Sequence, residues 1–84
     1  MSSFIIPENI AISESGFLFQ PSTGETFTLN QVGKEMLNLI RSKKSEEEIV
    51  NLIVNNYDID ITTAHKDFAD FVNQLKQYSI LKEE

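Results

Sequence analysis

The sequence predicts an α+β fold in which a three-stranded antiparallel sheet is followed by three helices. Three observations carry that prediction. Two apolar runs flank a Pro/Gly turn between Gly16 and Asn30. A serine three residues before a glutamate, Ser45-Glu46-Glu47-Glu48, marks a helix start. The rest of the second half repeats apolar residues at helical spacing, with strand-like alternation confined to the first 30 residues.

The first strand is expected over residues 8–13, where Ile10 and Ile12 alternate with Ala11 and Ser13 before the turn-like Ser13-Glu14-Ser15-Gly16. Phe17 to Gln20 and Glu25 to Leu29 supply the second and third strands. Pro21 presets φ for the first turn position, and Gly24 tolerates the positive φ from which the return strand leaves. Phe17 and Phe19 share one pleat face, as do Phe27 and Leu29 on the next strand. Core packing is the expected role of Phe17, Phe19, Phe27, Phe68 and Phe71, since base stacking on a sheet couples aromatics to a basic groove that this chain lacks.

Asn30 is an N-cap, and Val32, Met36, Leu37 and Ile40 predict a first helix over residues 31–42. Gly33 weakens it locally and is read as a point of close packing. In the second helix, expected over 46–57, the Ser45 hydroxyl accepts from the Glu48 amide while the Glu48 carboxylate reaches back to Ser45. Its acids oppose the positive end of the helix dipole, and Ile49, Leu52, Ile53 and Tyr57 form its stripe. Asp60 or Thr62 caps a third helix over 63–78, with Ala64, Phe68, Phe71, Val72 and Leu75 on one side. Lys82-Glu83-Glu84 reads as a frayed tail.

Composition narrows function mainly by exclusion. Eighty-four residues make one domain, spanning 1–84 with its core in about 8–82. Without cysteine there are no disulfides, thiolate nucleophiles or cysteine-ligated metals, which fits a reducing compartment and makes the cytoplasm the expected location. No apolar run approaches the roughly 20 residues that span a bilayer, so no membrane partner is expected. Thirteen acids against seven bases give a net charge of −6, which repels a phosphate backbone. The basic cluster Arg41-Ser42-Lys43-Lys44 follows a helix and matches the negative end of its dipole.

Catalytic signals are missing. His65, the sole histidine, has Asp67 two positions away, off its helix face, and no second imidazole or thiolate completes a zinc set. Glu46, Glu47 and Glu48 fan around their helix and do not converge as an acid–base pair. No glycine-rich phosphate loop or nucleophile elbow occurs. The chain is expected not to be an enzyme, and to need no cofactor or metal.

Four blocks taken together, Gly16-Phe17-Leu18-Phe19 through Glu25-Thr26-Phe27-Thr28-Leu29-Asn30, Met36-Leu37-Asn38-Leu39-Ile40, Ser45-Glu46-Glu47-Glu48-Ile49 and Asp67-Phe68-Ala69-Asp70-Phe71-Val72-Asn73-Gln74-Leu75, resemble the PqqD family. Its members are small peptide chaperones, also called RiPP recognition elements, and the resemblance covers roughly residues 8–82. It implies a winged helix-turn-helix-like domain that binds the leader segment of a ribosomally made precursor peptide and presents it to a modifying enzyme, commonly a radical SAM protein. In the family the leader adds beside the third strand and lies against the third helix. Carried over, this assigns main-chain pairing to Glu25, Thr26, Phe27, Thr28 and Leu29, and helix-side contacts to Asp67, Phe71 and Gln74. Family members often have glycine before the final apolar pair, where this chain has Ser79-Ile80-Leu81. The alternatives are a winged-helix DNA-binding regulator, which the acidic charge and the Asp67 and Asp70 of the third helix oppose, and an accessory that stabilises a larger enzyme without touching substrate.

Overall fold

The computed structural model describes residues 4–7 and 9–83, the last by its backbone alone. Its elements run β1 (Phe4–Ile5), β2 (Ala11–Ile12), β3 (Phe17–Gln20), β4 (Glu25–Thr28), α1 (Gln31–Arg41), α2 (Glu46–Tyr57), α3 (Ile61–Gln77) and β5 (Lys82–Glu83). The expected sheet is β2-β3-β4, antiparallel throughout, with β3 central and β4 at an edge. β2 is shorter than the expected 8–13, and residue 8 lies outside the described residues.

Each helix starts where a side chain captures its first amides. Asn30 accepts from the Gly33 amide at 2.7 Å, and Ser45 and Glu48 form both halves of a capping box at 3.2 Å each. Asp60, rather than Thr62, caps α3 by accepting from the Thr62 and Thr63 amides, which starts that helix two residues before the expected 63.

The ends of α1 and α3 share one device. After α1, Lys43 donates to Ile40 and Lys44 to Leu39; after α3, Ser79 donates to Lys76 and Ile80 to Leu75. Both are Schellman turns, and both place a non-glycine residue in the left-handed region, Lys43 at φ 65° and Ser79 at φ 59°. Glycine would adopt that φ without steric cost at either position.

The core lies where the helices meet the inner face of the sheet. Phe68, Val72 and Leu75 of α3 pack with Ile49, Val50 and Ile53 of α2, Met36, Leu37 and Ile40 of α1, and Leu18 of β3. Leu52, expected in the α2 stripe, is partly exposed, and Val50 is buried instead. Gly33 is packed closely: a Cβ there would stand 3.4 Å from the Phe71 ring.

Two expectations are corrected. Lys82 and Glu83 are not frayed but form β5, pairing antiparallel with β1 in the register Phe4↔Glu83 and Ile5↔Lys82; residue 84 lies outside the described residues. Across that ribbon Phe4 meets Phe68 edge-on, with ring centroids 6.2 Å apart. Phe17 and Phe19 are not core residues either. They are 53% and 44% exposed, while Leu18 and Gln20 turn inward. The inward face is set by partners: Leu18 lies opposite both Ile12 and Phe27, and the Gln20 amide finds an acceptor inside the protein. Phe27 and Phe71 pack half-buried against the core, and Phe68 is fully buried.

Candidate functional site

The local sequence of β4 determines what its edge offers. The strand pairs with β3 in the register Phe17↔Thr28, Leu18↔Phe27, Phe19↔Thr26 and Gln20↔Glu25. Just beyond it, the Leu29 amide donates to the Gly16 carbonyl at 2.8 Å. Hydrogen-bonded and non-hydrogen-bonded pairs alternate in an antiparallel ladder, so Leu18 and Phe27 form the next bonded pair. Thr26 and Thr28 consequently aim their N–H and C=O groups away from β3. On the other side of β3, the Ser13 amide donates to the Phe17 carbonyl at 2.8 Å, as the same alternation requires.

Gly16 makes this arrangement sterically feasible. It sits at φ 93°, and a Cβ there would fall on the Leu29 carbonyl oxygen. The left-handed backbone and the lack of room for a side chain both call for glycine where the start of β3 meets the end of the hairpin, just before α1.

Beside the free edge of β4 lies a cleft of about 290 Å³, bounded by the strand and α3. Thr26, Phe27, Thr28 and Leu29 line one side, Phe71, Gln74, Leu75 and Tyr78 the other, and Leu18 and Ile80 also contribute. The Phe27 and Tyr78 rings meet at 4.5 Å between centroids, inclined by 43°. The lining holds no Asp, Glu, Lys, Arg or His, so the cleft offers apolar surface and strand-edge hydrogen bonds rather than charge.

Of the residues singled out in the sequence, the fold thus brings Thr26, Phe27, Thr28, Leu29, Phe71 and Gln74 to one cleft. Glu25 and Asp67 are exposed and outside its lining; Asp67 lies one helical turn before Phe71. Sequence reasoning missed Leu18, Leu75, Tyr78 and Ile80 as site residues. Helical spacing carried a signal for two of them: Leu75 follows Phe71 by four positions, and Tyr78 follows Gln74 by four. Leu18 and Ile80 had none, because their place depends on the packing of β3 against the end of α3.

A second groove, of about 320 Å³, runs along α1 between Gln31, Lys34, Glu35, Asn38, Leu39 and Ser42. Glu35 accepts from Asn56 at 3.2 Å. Burial, followed by the neighbouring Glu35 carboxylate, raises the Tyr57 phenol above its ordinary value. These contacts tie α1 to α2 and involve no sheet edge.

The remaining charged groups show structural roles. His65 Nδ1 stands 3.9 Å from Glu46, both well exposed. Lys66 pairs with Asp70 at 3.1 Å along α3, and that hydrogen bond holds its ammonium above its usual range. Among the described residues no three His, Cys, Asp or Glu side chains gather to hold a metal ion, and no helix is long and apolar enough to cross a membrane.

Comparison with known proteins adds an independent line. The family model described as coenzyme PQQ synthesis protein D (PqqD) matches residues 16–81. No curated protein matches the chain. Among solved structures, lasso peptide synthetase B1 complexed with the leader peptide superposes with a TM-score of 0.85 at 20% identity, covering 95% of this chain and 98% of the other. TbiB1 in complex with the TbiA(beta) leader peptide superposes with a TM-score of 0.83 at 29% identity, covering 92% and 93%.

Proposed function

Because the chain belongs to the PqqD family, we propose that it binds the leader segment of a ribosomally made precursor peptide by strand addition to β4 and presents it to a modifying enzyme, doing no chemistry itself. It acts as a single domain in the cytoplasm. The observation that supports this most is the coincidence of two features: outward-facing backbone groups at Thr26 and Thr28, and an uncharged, partly apolar cleft beside them. That both superposed structures are leader-peptide complexes supports the same reading.

The chemistry follows from the register. Thr26 and Thr28 offer N–H donors and C=O acceptors to an extended guest, an exchange that any sequence satisfies except at proline. Alternate guest side chains then face the cleft, where Phe27, Phe71, Leu75 and Tyr78 accept apolar groups. Glu25 and Asp67 sit at its margins, where a basic guest residue meets carboxylates in water and gains little. A disordered leader loses about 2–5 kcal/mol on ordering, so micromolar or submicromolar affinity is expected. For a DNA regulator the surface is unsuitable: of the two α3 lysines, Lys66 is paired with Asp70 at 3.1 Å and Lys76 stands over the Phe4 ring, in a chain of charge −6.

The register also dictates the test. Proline at Phe27 would break the protein's own ladder to Leu18, whereas proline at Thr28 removes an outward donor alone. With helical circular dichroism retained, Thr28→Pro is expected to weaken binding of the cognate precursor's leader peptide by at least about 10-fold, the effect of one lost hydrogen bond plus local strain. A folded Thr28→Pro variant that binds the leader undiminished contradicts strand addition at this edge.

A further inference from the structure

Gln20 is the buried polar side chain among the described residues, 2% exposed at the end of β3. Its Nε2 donates at 3.2 Å to the carbonyl of Ser79, 59 residues away. Ser79 is the left-handed residue of the turn after α3, and the residues on either side of it, Tyr78 and Ile80, both line the cleft. Leu18, two residues before Gln20 on the same sheet face, lines it too. A single hydrogen bond therefore joins the sheet wall of the cleft to its helix wall.

We propose that Gln20 is a positioning residue that gauges the cleft: by holding the Ser79 carbonyl it sets the distance between β4 and the end of α3, and with it the size of guest side chain the cleft accepts. This rests on the leader-binding reading above. The turn's own hydrogen bonds, from Ser79 to Lys76 and from Ile80 to Leu75, fix its shape relative to α3 but not relative to the sheet. The hydrogen bond from Gln20 ties the turn to the sheet. It also over-determines a backbone conformation that a serine adopts at a cost. Without the donor, the Ser79 carbonyl must find another partner, and the turn carrying Tyr78 and Ile80 is held to the sheet by packing alone, Tyr78 on Phe27 and Ile80 in the core.

The test compares two guests on one protein. The probes are the leader peptide of the cognate precursor and the same peptide with alanine in place of the apolar residue that occupies the cleft. Wild-type protein is expected to prefer the larger side chain by about 10-fold or more. Gln20→Met, close in shape but without the donor, is expected to narrow that preference severalfold and to speed amide exchange at Ile80. Gln20→Leu, which likewise lacks the donor, is expected to do the same. Ser79→Gly retains the carbonyl and permits the turn, so it should keep the wild-type preference. General destabilisation lowers the affinity of both guests together and leaves their ratio unmoved, so the ratio reports on the cleft. An unchanged ratio in Gln20→Met and Gln20→Leu overturns the gauge while leaving leader binding intact. Wild-type protein that binds neither peptide overturns both.

Discussion

Between α1, α2 and α3 every apolar stripe faces another, and every helix N-terminus has its cap in Asn30, Ser45 or Asp60. β4 uses only alternate backbone groups on β3 and turns those of Thr26 and Thr28 toward a cleft. The difference separates two tasks within one small fold. The helical region supplies stability by completing its own contacts. The hairpin region keeps an incomplete edge in place, and it does so with features that local helix rules do not touch: the left-handed Gly16, the register of four residue pairs, and one buried amide.

The comparison is broken most severely from the helical side. Phe68 is fully buried at the meeting of α3, α2 and the β1–β5 ribbon, so Phe68→Ala is expected to cost about 3–5 kcal/mol. A urea titration checks this, and in so small a domain the loss takes most of the stability. Leader binding should fall only as far as the protein unfolds.

On the hairpin side the two positive-φ glycines sharpen the contrast. Gly16→Ala sets a methyl group against the Leu29 carbonyl as well as straining φ, for an expected loss of about 2–4 kcal/mol. Gly24 at φ 77° has open space around it, so Gly24→Ala pays only the conformational term, about 1–2 kcal/mol. Equal losses in thermal unfolding would contradict the packing argument at Gly16.

Smaller still is the cap of α2. Ser45→Ala is expected to cost about 1 kcal/mol and to leave leader affinity unchanged, because the cap lies on the helical side. The Ser45 amide, with the Ser45 hydroxyl second, holds the Glu48 carboxyl below the ordinary carboxylate range. A lowered value means that the carboxylate's contribution is present above the ordinary carboxylate pKa and fades as pH falls through the lowered one. The difference in melting temperature between wild type and Glu48→Gln should therefore shrink on acidification. Glu48 is exposed, so the difference should be small at any pH and smaller in high salt.

These regions also differ in how far the sequence revealed them. The caps were legible because each is a conversation between residues two or three apart, and the α1 and α3 stripes because Met36, Leu37 and Ile40, and Phe68, Val72 and Leu75, repeat at the helical period. The hairpin's strands and turn were legible for the same local reason. What escaped required distant partners. In Phe17-Leu18-Phe19-Gln20, hydrophobicity favours burying the phenylalanines, yet Leu18 and Gln20 go inward because Phe27, Ile12 and the Ser79 carbonyl receive them. The β1–β5 ribbon joins two-residue strands from opposite ends of the chain, too short for any period to show. Likewise the strand and helix sides of the cleft were each foreseen in part, but its Leu18 and Ile80 became visible only once β3 and α3 were packed together.

The central claim is that β4 receives a guest strand along its outer edge, and backbone amide exchange measured with and without the leader peptide tests it residue by residue. The account predicts that the Thr26 and Thr28 amides exchange rapidly in the free protein and become protected on binding, while Phe27 and Leu29, already bonded to β3 and Gly16, change little. Binding that leaves Thr26 and Thr28 unprotected would contradict it.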